Sequence, residues 1–303
     1  MGELAELLRG AIDLHTHPSP DIVPRSQSIA EAVADFTEAG FAGFVAKSHV
    51  SSTAALCAAH NAGFQAQPIG SIALNRPTGG LNAGAVEVAA RLGARVAWLP
   101  TVDSRRQREQ ATAAGPAPVW AETQAELART PGYGPPIAVL EDGGGVVPEL
   151  HDVLDVIKEH SLLLATGHLD CDEAFAVIDA AQGHGVERVM VTHPDLPRQR
   201  ITLDAQIEMA RRGAWIERTM ASVLEGKLPL ERALHGIRAC GIGSTLLTGD
   251  LGQPHNGPII AGIRRWAGDL HEAGFDPEDI HRLLAVNPTA ALSGRLAAPA
   301  PGA

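Results

Sequence analysis

Eight short apolar segments recur along the chain, and each ends in polar residues just before a stretch of helical character. Their apolar residues are consecutive rather than alternating, which is typical of parallel strands buried on both faces. The predicted strands are Ala11–His17, Phe44–His49, Gly70–Asn75, Val96–Thr101, Leu162–His168, Val189–His193, Ala214–Thr219 and Thr245–Asp250. Among the segments between them, helices are predicted at Ser28–Ala39, Leu150–His160, Asp172–Gln182 and Asp204–Arg212.

The spacing of the strand ends indicates how the strands are arranged. Six of the seven intervals are 24 to 33 residues long, which suits one strand and one returning helix each. Eight such units predict an α/β fold of the (β/α)8 TIM barrel type, with an open doubly wound sheet as the alternative.

The interval from Thr101 to His168, 67 residues long, is the exception. It predicts an insert after strand four at residues 102–149, made of a Pro-, Gly- and Ala-rich lid loop and a small β-hairpin that turns at Gly143–Gly145. We therefore predict a single domain over residues 1–296 that includes this insert. The Ala- and Pro-rich tail at 297–303 is predicted to be disordered.

Composition and charge exclude several classes of partner. The net charge is −11, and without a basic stripe a nucleic-acid partner is not expected. The three cysteines lack CxxC spacing, so neither a disulfide framework nor a thiolate zinc site is indicated. No apolar run approaches the roughly 20 residues that span a bilayer, and no signal peptide begins the chain. These features predict a cytoplasmic protein without a membrane partner.

The polar residues that end the strands are the candidate functional residues, because a (β/α)8 barrel carries its active site at this edge. His15 and His17 are two positions apart and are expected to share the inward face of strand one. His168 ends strand five and His193 ends strand six. With Asp250 on strand eight, these imidazoles can converge on a divalent cation, with zinc favoured and manganese as the alternative.

The motifs DLHTH, TGH, VTH and TGD, in this order on strands one, five, six and eight, resemble those of the amidohydrolase superfamily of metal-dependent hydrolases. The segment Asn287–Leu292, NPTAAL, is similar to an Asn-Pro segment common near the C-terminus of its members. Strand one begins close to the N-terminus, so the chain is expected to resemble the compact members without a β-sandwich.

The resemblance implies roles for the matched residues. His15 and His17 would hold the more buried metal, and His168 and His193 would hold a second. Asp250 would ligate the first metal, accept a proton from the attacking water and pass it to the leaving group.

Lys47, at the end of strand two, departs from the superfamily pattern. Members with two metals usually bridge them with a carboxylated lysine or a glutamate on strand three or four, but these strands end here in Asn75 and Thr101. A lysine inside a barrel mouth is costly unless paired or modified. We therefore predict that CO₂ carboxylates Lys47 into a bridging ligand. The alternative is one metal and a Lys47 ammonium that pairs with Asp250 or Glu217, or binds an anionic substrate.

Further polar residues near the strand ends are candidate substrate contacts. Arg25, on the first βα loop, could bind a carboxylate in bidentate fashion. A basic cluster on the insert, SRRQR at residues 104–108, would favour an anionic substrate. The predicted substrate-binding residues are Asp21, Arg25, His49, Asn75, Glu217 and His255.

The predicted function is metal-dependent hydrolysis of an amide, lactam, lactone or related C–N or C–O bond in a small molecule, by attack of metal-bound hydroxide. Phosphoester or phosphotriester hydrolysis, and deamination or decarboxylation at a single metal, are the alternatives. A catalytically inactive metal-binding scaffold is the least favoured reading. Barrels of this kind often dimerise, and a homo-oligomer is therefore possible, but the sequence does not determine the oligomeric state.

Overall fold

Eight parallel strands form one sheet, in which each strand pairs with the next along the chain. The computed structural model describes residues 6–60, 65–109 and 119–293. The strands are β1 Ile12–Thr16, β2 Gly43–Ala46, β3 Gln67–Ala73, β4 Ala94–Trp98, β5 Leu163–Ala165, β6 Val189–Val191, β7 Trp215–Thr219 and β8 Thr245–Thr248. Most of their residues are buried, as the continuous apolar segments predict.

The sheet closes where β1 meets the residues that follow β8. The Asp250 amide donates to the His15 carbonyl at 2.7 Å, and the His17 amide donates to the Leu251 carbonyl at 2.7 Å. The buried Asp13 carboxylate accepts from the Gly249 amide at 2.9 Å. A Cβ atom at position 249 would lie 2.7 Å from Asp13 Oδ2, so this junction requires glycine. The predicted (β/α)8 barrel is therefore confirmed, and the alternative of an open sheet is excluded.

Helices follow the strands and surround the barrel. They are α1 Ile29–Glu38, α2 Ala54–His60, α3 Ala83–Arg91, α4 Arg105–Glu109, α5 Val119–Leu127, α6 Pro148–Glu159, α7 Cys171–Gly183, α8 Leu203–Arg211, α9 Met220–Leu224, α10 Leu230–Cys240, α11 Ile259–Glu272, α12 Pro277–His281 and α13 Asn287–Ser293. The four helices with predicted bounds lie within two residues of the prediction. Capping boxes begin two of them, Ser28 with Glu31 at α1 and Asp170 with Glu173 at α7.

The core has an inner part and an outer part. The inner cluster takes buried residues from all eight strands, among them Leu14, Val45 and Trp98, and therefore fills the barrel. It also includes Ala290 and Ala291 of α13. Two further clusters pack helices against the outside of the sheet. The inner cluster makes the floor beneath the strand-end polar residues.

The insert at 102–149 contains more helix than the predicted lid loop. Residues 105–109 and 119–127 are helical, and 110–118 between them lie outside the described residues. The segment WAETQAEL is rich in Ala, Glu and Gln, which favour helix, and this explains α5. The hairpin takes a reduced form, in which Leu140 and Val146 make one antiparallel bridge around the glycine turn.

The buried Asp103 carboxylate fastens the insert to the barrel. It accepts hydrogen bonds from the Gln124 amide of α5, the Tyr133 hydroxyl and the Arg76 backbone amide, each at 2.9 Å. Because these donors come from the insert and from the loop after β3, one carboxylate joins the two. The insert is thereby held over the carboxyl ends of the strands.

The predicted tail at 297–303 lies outside the described residues, so its disorder stays a prediction. Across the described ranges, the helices are too short or too polar to cross a membrane.

Candidate metal centre

Two imidazoles and one carboxylate meet at the carboxyl end of the barrel. Asp250 Oδ1 lies 3.1 Å from His15 Nε2 and 3.1 Å from His17 Nε2. Among the described residues, these three form a group whose ligand atoms all lie within 4.8 Å of one another. In a tetrahedral zinc site with bonds of about 2.0–2.1 Å, ligand atoms lie about 3.3 Å apart. The three residues could therefore hold one divalent cation.

The hydrogen bonds on the far side of both rings suit metal binding. His15 Nδ1 lies 2.9 Å from Glu217 Oε1, and His17 Nδ1 lies 3.1 Å from the Lys47 carbonyl oxygen. Both partners are acceptors, which assigns the proton to Nδ1 and leaves the Nε2 lone pair directed at Asp250. An acceptor behind a ligating imidazole fixes its tautomer and orientation in metal sites.

The backbone of β1 explains how both histidines reach this point. The pairing of β1 with β2 shifts register between Asp13 and Thr16. Leu14 packs in the barrel interior, while the next residue, His15, also reaches Asp250. The two histidines share the site as predicted, but strand alternation alone does not bring them there.

Glu217 lies beneath the imidazoles and does not line the cavity. Its carboxylate accepts from His15 Nδ1, from the Thr248 hydroxyl at 2.9 Å and from the His193 amide at 2.9 Å. Burial acts to raise the pKa of Glu217, but the neighbouring His15 and His193 outweigh it and hold this pKa below its usual value. Glu217 therefore positions the His15 ring and does not face the cavity, where the predicted contact with substrate would be made.

Gln199 is a site residue that sequence reasoning missed. Its side-chain oxygen lies 2.7 Å from His193 Nδ1, and its amide nitrogen donates to the Thr192 carbonyl at 2.9 Å and the Gly167 carbonyl at 3.3 Å. Because the amide donors are engaged by carbonyls, the oxygen accepts from His193. No motif marks this glutamine, and only its position six residues after His193 hints at the contact.

His168 and His193 lie beside the group of three without belonging to it. Their ring centroids are 5.0 Å apart, and the His193 ring stacks at 5.9 Å on His15. Among the described residues, the buried Nδ1 of His168 has no hydrogen-bond partner. A buried imidazole nitrogen without a partner is costly, so the residues present fit a metal ion that would supply that partner.

The backbone at several of these positions is unusual. Gly167, directly before His168, has φ +65°, and a Cβ there would lie 2.4 Å from the Leu99 carbonyl oxygen. His193 and Asp250 have φ values of 27° and 50°, in the left-handed region that few residues other than glycine adopt. Such conformations cluster at functional sites, where surrounding contacts hold them.

Lys47 is buried beside the candidate ligands. Its Nζ lies 3.0 Å from His15 Nε2 and 4.0 Å from the centroid of the Trp98 ring. Burial lowers the pKa of Lys47 to about 8. Among the described residues, no carboxylate oxygen lies within 4.0 Å of this amine. The structure therefore lacks the alternative ion pair of Lys47 with Asp250 or Glu217.

The electrostatics favour ligating protonation states at Asp250, His17 and His168. Burial acts to raise the pKa of Asp250, but His15 and His17 outweigh it and hold that pKa well below its usual value. Burial lowers the pKa of His17 and of His168 well below the usual value for histidine. An ionised carboxylate and neutral imidazoles are the forms that bind metal. Burial also acts to lower the pKa of His15, but the carboxylates of Asp250 and Glu217 outweigh it and raise that pKa, so a metal would have to displace a proton from His15.

A cavity of about 680 Å³ lies above this group. Trp120 of the insert forms part of its wall, with its ring centroid 6.1 Å from that of His49 and 6.2 Å from that of His168. The lining includes six predicted site residues near the centre, His17, Lys47, His49, His168, His193 and Asp250. The volume suits a small molecule.

Asp21, Arg25 and His255 are the predicted substrate contacts that lie on loops. Arg25 lines the cavity, but its guanidinium is already paired with Asp21 at 2.6 Å, and both side chains are nearly buried. His255 also lines the cavity and lies 3.1 Å from Glu225 Oε1.

His49 and Asn75 belong to one hydrogen-bond cluster. His49 lines the cavity, and its Nδ1 lies 2.9 Å from the Thr101 hydroxyl. Asn75 is fully buried away from the cavity and donates to the His49 carbonyl at 2.8 Å and to the Thr101 hydroxyl at 2.6 Å. The structure therefore places Asn75 behind His49, where it joins the ends of β2, β3 and β4 instead of facing a substrate.

Solved structures with the same architecture include three bacterial proteins. An amidohydrolase from Pseudomonas aeruginosa matches at 12% identity and TM-score 0.61, over 96% of this chain and 97% of its own. The probable dipeptidase PvdM from the same organism matches at 11% identity and TM-score 0.63, over 97% and 96%. A phosphotriesterase homology protein from Escherichia coli, solved with phosphate in its active site, matches at 16% identity and TM-score 0.51, over 93% and 98%.

These likenesses confirm the predicted fold of the amidohydrolase superfamily. The first two matches cover nearly the whole of both chains. A search of curated proteins finds no match to this sequence. The model of the family described as "Family of unknown function (DUF6282)" matches residues 10–217, more than half of the chain, and the chain belongs to that family.

Proposed function

We propose that this chain is a metal-dependent hydrolase that cleaves an amide, lactam, lactone or related C–N or C–O bond of a small molecule. The observation that carries the proposal is the convergence of His15 Nε2, His17 Nε2 and Asp250 Oδ1, of which His17 and Asp250 line the cavity and His15 is buried next to them. The amidohydrolase and the dipeptidase with the same architecture support this class of reaction.

A bound divalent metal would supply two things, a lowered pKa for an attacking water and polarisation of the substrate carbonyl. The residues of the chain do the rest. Asp250, ionised and partly exposed to the cavity, would take the proton of the attacking water and return it to the leaving group. Glu217 keeps the His15 ring oriented throughout, because its carboxylate is fixed by two further donors.

We also propose that Lys47 is carboxylated and bridges a second metal held by His168 and His193. Its amine is buried with no carboxylate partner within 4.0 Å in the described chain, and it lies beside His15. The neutral amine would attack the carbon of CO₂, forming an N–C bond and releasing one proton to water. The product is an anionic ligand in place of a buried cation. Without this reaction, one metal at the group of three is expected.

The experiment that tests the hydrolase is a comparison of Asp250→Asn with Asp142→Asn. Purified protein is assayed with zinc, manganese or cobalt on chromogenic esters, lactones, amides and phosphoesters. We expect wild type and Asp142→Asn to turn over a carboxylic ester, lactone or amide, since Asp142 lies exposed in the glycine turn of the insert. Asp250→Asn should lose about 100-fold or more, because general acid–base catalysis contributes about that much.

Other results would change the conclusion. Turnover of phosphoesters alone would assign the chain to the phosphoester alternative. Equal rates for Asp250→Asn and wild type, with both proteins folded by circular dichroism, would remove Asp250 from the reaction. The absence of turnover on every class would leave a metal-binding scaffold.

A further inference from the structure

The cavity carries charge of the sign opposite to that of the chain. The chain has a net charge of −11. Apart from Lys47, which the proposed carboxylation would make anionic, four basic and two acidic described residues line the cavity, and a bound metal would add positive charge. The basic ones are Arg25, Arg106, Arg198 and Lys227, and the acidic ones are Glu225 and Asp250. A cleft lined by one sign of charge concentrates ligands of the other sign.

Three of these basic side chains already have carboxylate partners. The pairs are Arg25 with Asp21, Arg106 with Asp170, and Lys227 with Glu225. In the second pair, Arg106 Nε also donates to Asp170 Oδ2 at 2.9 Å, and Asp170 is the residue that caps α7. Arg106 therefore joins the insert to the loop after β5, and its guanidinium is committed to that contact.

Arg198 differs from them. It lies partly exposed in the short 3-10 turn Pro197–Gln199 after β6. Within the described ranges, no hydrogen bond or ion pair engages its guanidinium. Helix α4 packs against this turn, and residues 110–118, which follow α4, include no acidic residue.

The turn also fixes where Arg198 lies relative to the candidate metal centre. The next residue, Gln199, accepts from His193 and is buried. Arg198 is thus attached to a rigid part of the site, while its own side chain lines the cavity. A guanidinium without a partner, placed this way, suits a carboxylate or phosphate group, because its donors match two oxygens at once.

We propose that Arg198 binds an oxyanion of the substrate, so that the enzyme acts on small anionic molecules. This inference rests on the proposed hydrolase function for the reacting bond, and it adds the class of substrate. The recognised group is a carboxylate or a phosphate at a distance from the bond that is cleaved. Arg25, which the sequence names as a candidate for this role, is engaged by Asp21 instead.

The test compares two nitrophenyl esters of matched length, the butyrate and the mono-ester of succinate. The proteins are wild type, Arg198→Ala and Arg211→Ala, the last removing an exposed arginine on α8 outside the cavity. Wild type and Arg211→Ala should prefer the anionic ester. Arg198→Ala should lose about 10- to 100-fold in kcat/KM on that ester, as for a hydrogen bond to a charged group, and less than about twofold on the neutral one.

A binding measurement separates this inference from the proposed reaction. Succinate and inorganic phosphate are titrated calorimetrically into metal-loaded protein, with the metal content of each variant measured first. If no ester is cleaved, the hydrolase proposal fails. The role of Arg198 would still be supported if Arg198→Ala, at unchanged metal content, bound either anion at least about tenfold more weakly than wild type does. Tighter binding of succinate or of phosphate distinguishes the two oxyanions. A wild-type preference for the neutral ester, or anion affinity equal in wild type and Arg198→Ala, would overturn the inference.

Discussion

Three of the four imidazoles of the candidate metal centre are oriented by hydrogen-bond acceptors. Glu217 serves His15, the Lys47 carbonyl serves His17, and Gln199 serves His193. Each contact crosses from one strand end or loop to another. The ligand side of the site is therefore only as well ordered as these acceptors. The Glu217 and Gln199 side chains are each held by two further hydrogen bonds.

Replacing Gln199 with Ala should weaken metal binding, although Gln199 is not itself a candidate ligand. The change removes the acceptor of His193 Nδ1, so the ring is free to turn and its tautomer is no longer fixed. We expect metal affinity, measured by competition with a chelator, to fall about 10- to 100-fold. Gln65→Ala, at an exposed position, is the matched control and should keep wild-type affinity. Unchanged affinity in Gln199→Ala would mean that His193 does not ligate.

At the scale of elements, the loop after β6 is braced from β7. Arg218, fully buried on β7, donates to Asp195 Oδ2 at 2.6 Å and to the Gln206 side-chain oxygen at 2.6 Å. A Cβ on Gly236 of α10 would lie 2.7 Å from its Nη2, so glycine leaves room for the guanidinium. One side chain thus ties together β7, the loop that carries Arg198, and α8.

Arg218→Ala should destabilise the fold because it leaves the Asp195 carboxylate without its partner and opens a cavity. We expect the free energy of unfolding in urea to fall by about 3 kcal/mol or more, the usual cost of breaking a buried pair. Arg232→Ala, an exposed arginine on α10, should change it by less than about 0.5 kcal/mol. A similar small change in both variants would show that the brace adds nothing to stability.

The strands, four of the helices and the candidate ligands at the strand ends could be predicted from the sequence. The elements follow from local periodicity, and the candidates follow from the rule that barrel sites lie at the carboxyl edge. Three of these candidates, His15, His17 and Asp250, lie close together in the structure. The places of Asn75 and Glu217 below the cavity could not be predicted, because the depth at which an inward side chain ends depends on packing. Gln199 and Arg198 lie in a turn whose contacts span several loops, and no periodic pattern encodes them.

At the scale of the whole molecule, the chain is acidic around a cavity with a surplus of basic residues. Inside the barrel, the apolar cluster ends at Trp98, on whose ring face the Lys47 amine lies. Just above that level, the Lys47 amine and the imidazoles of His15 and His193 lie close together. Such an arrangement concentrates like charges unless a bound ion or a covalent modification balances them. The stability of the entire domain against unfolding should therefore depend on its metal content.

Lys47→Met tests how many metals the whole chain holds. Wild type, reconstituted with zinc and bicarbonate, should bind two equivalents, and Lys47→Met, which keeps the apolar bulk, should bind one because the bridge is gone. Each site filled at 100 times its Kd adds about 2.7 kcal/mol, so the Tm of wild type should exceed that of the variant by about 4 °C in the same buffer. Lys158→Ala, at an exposed position of α6, should match wild type in both measurements. Wild-type protein that binds close to one equivalent, with or without bicarbonate, would exclude the bridge and favour the site of His15, His17 and Asp250 alone.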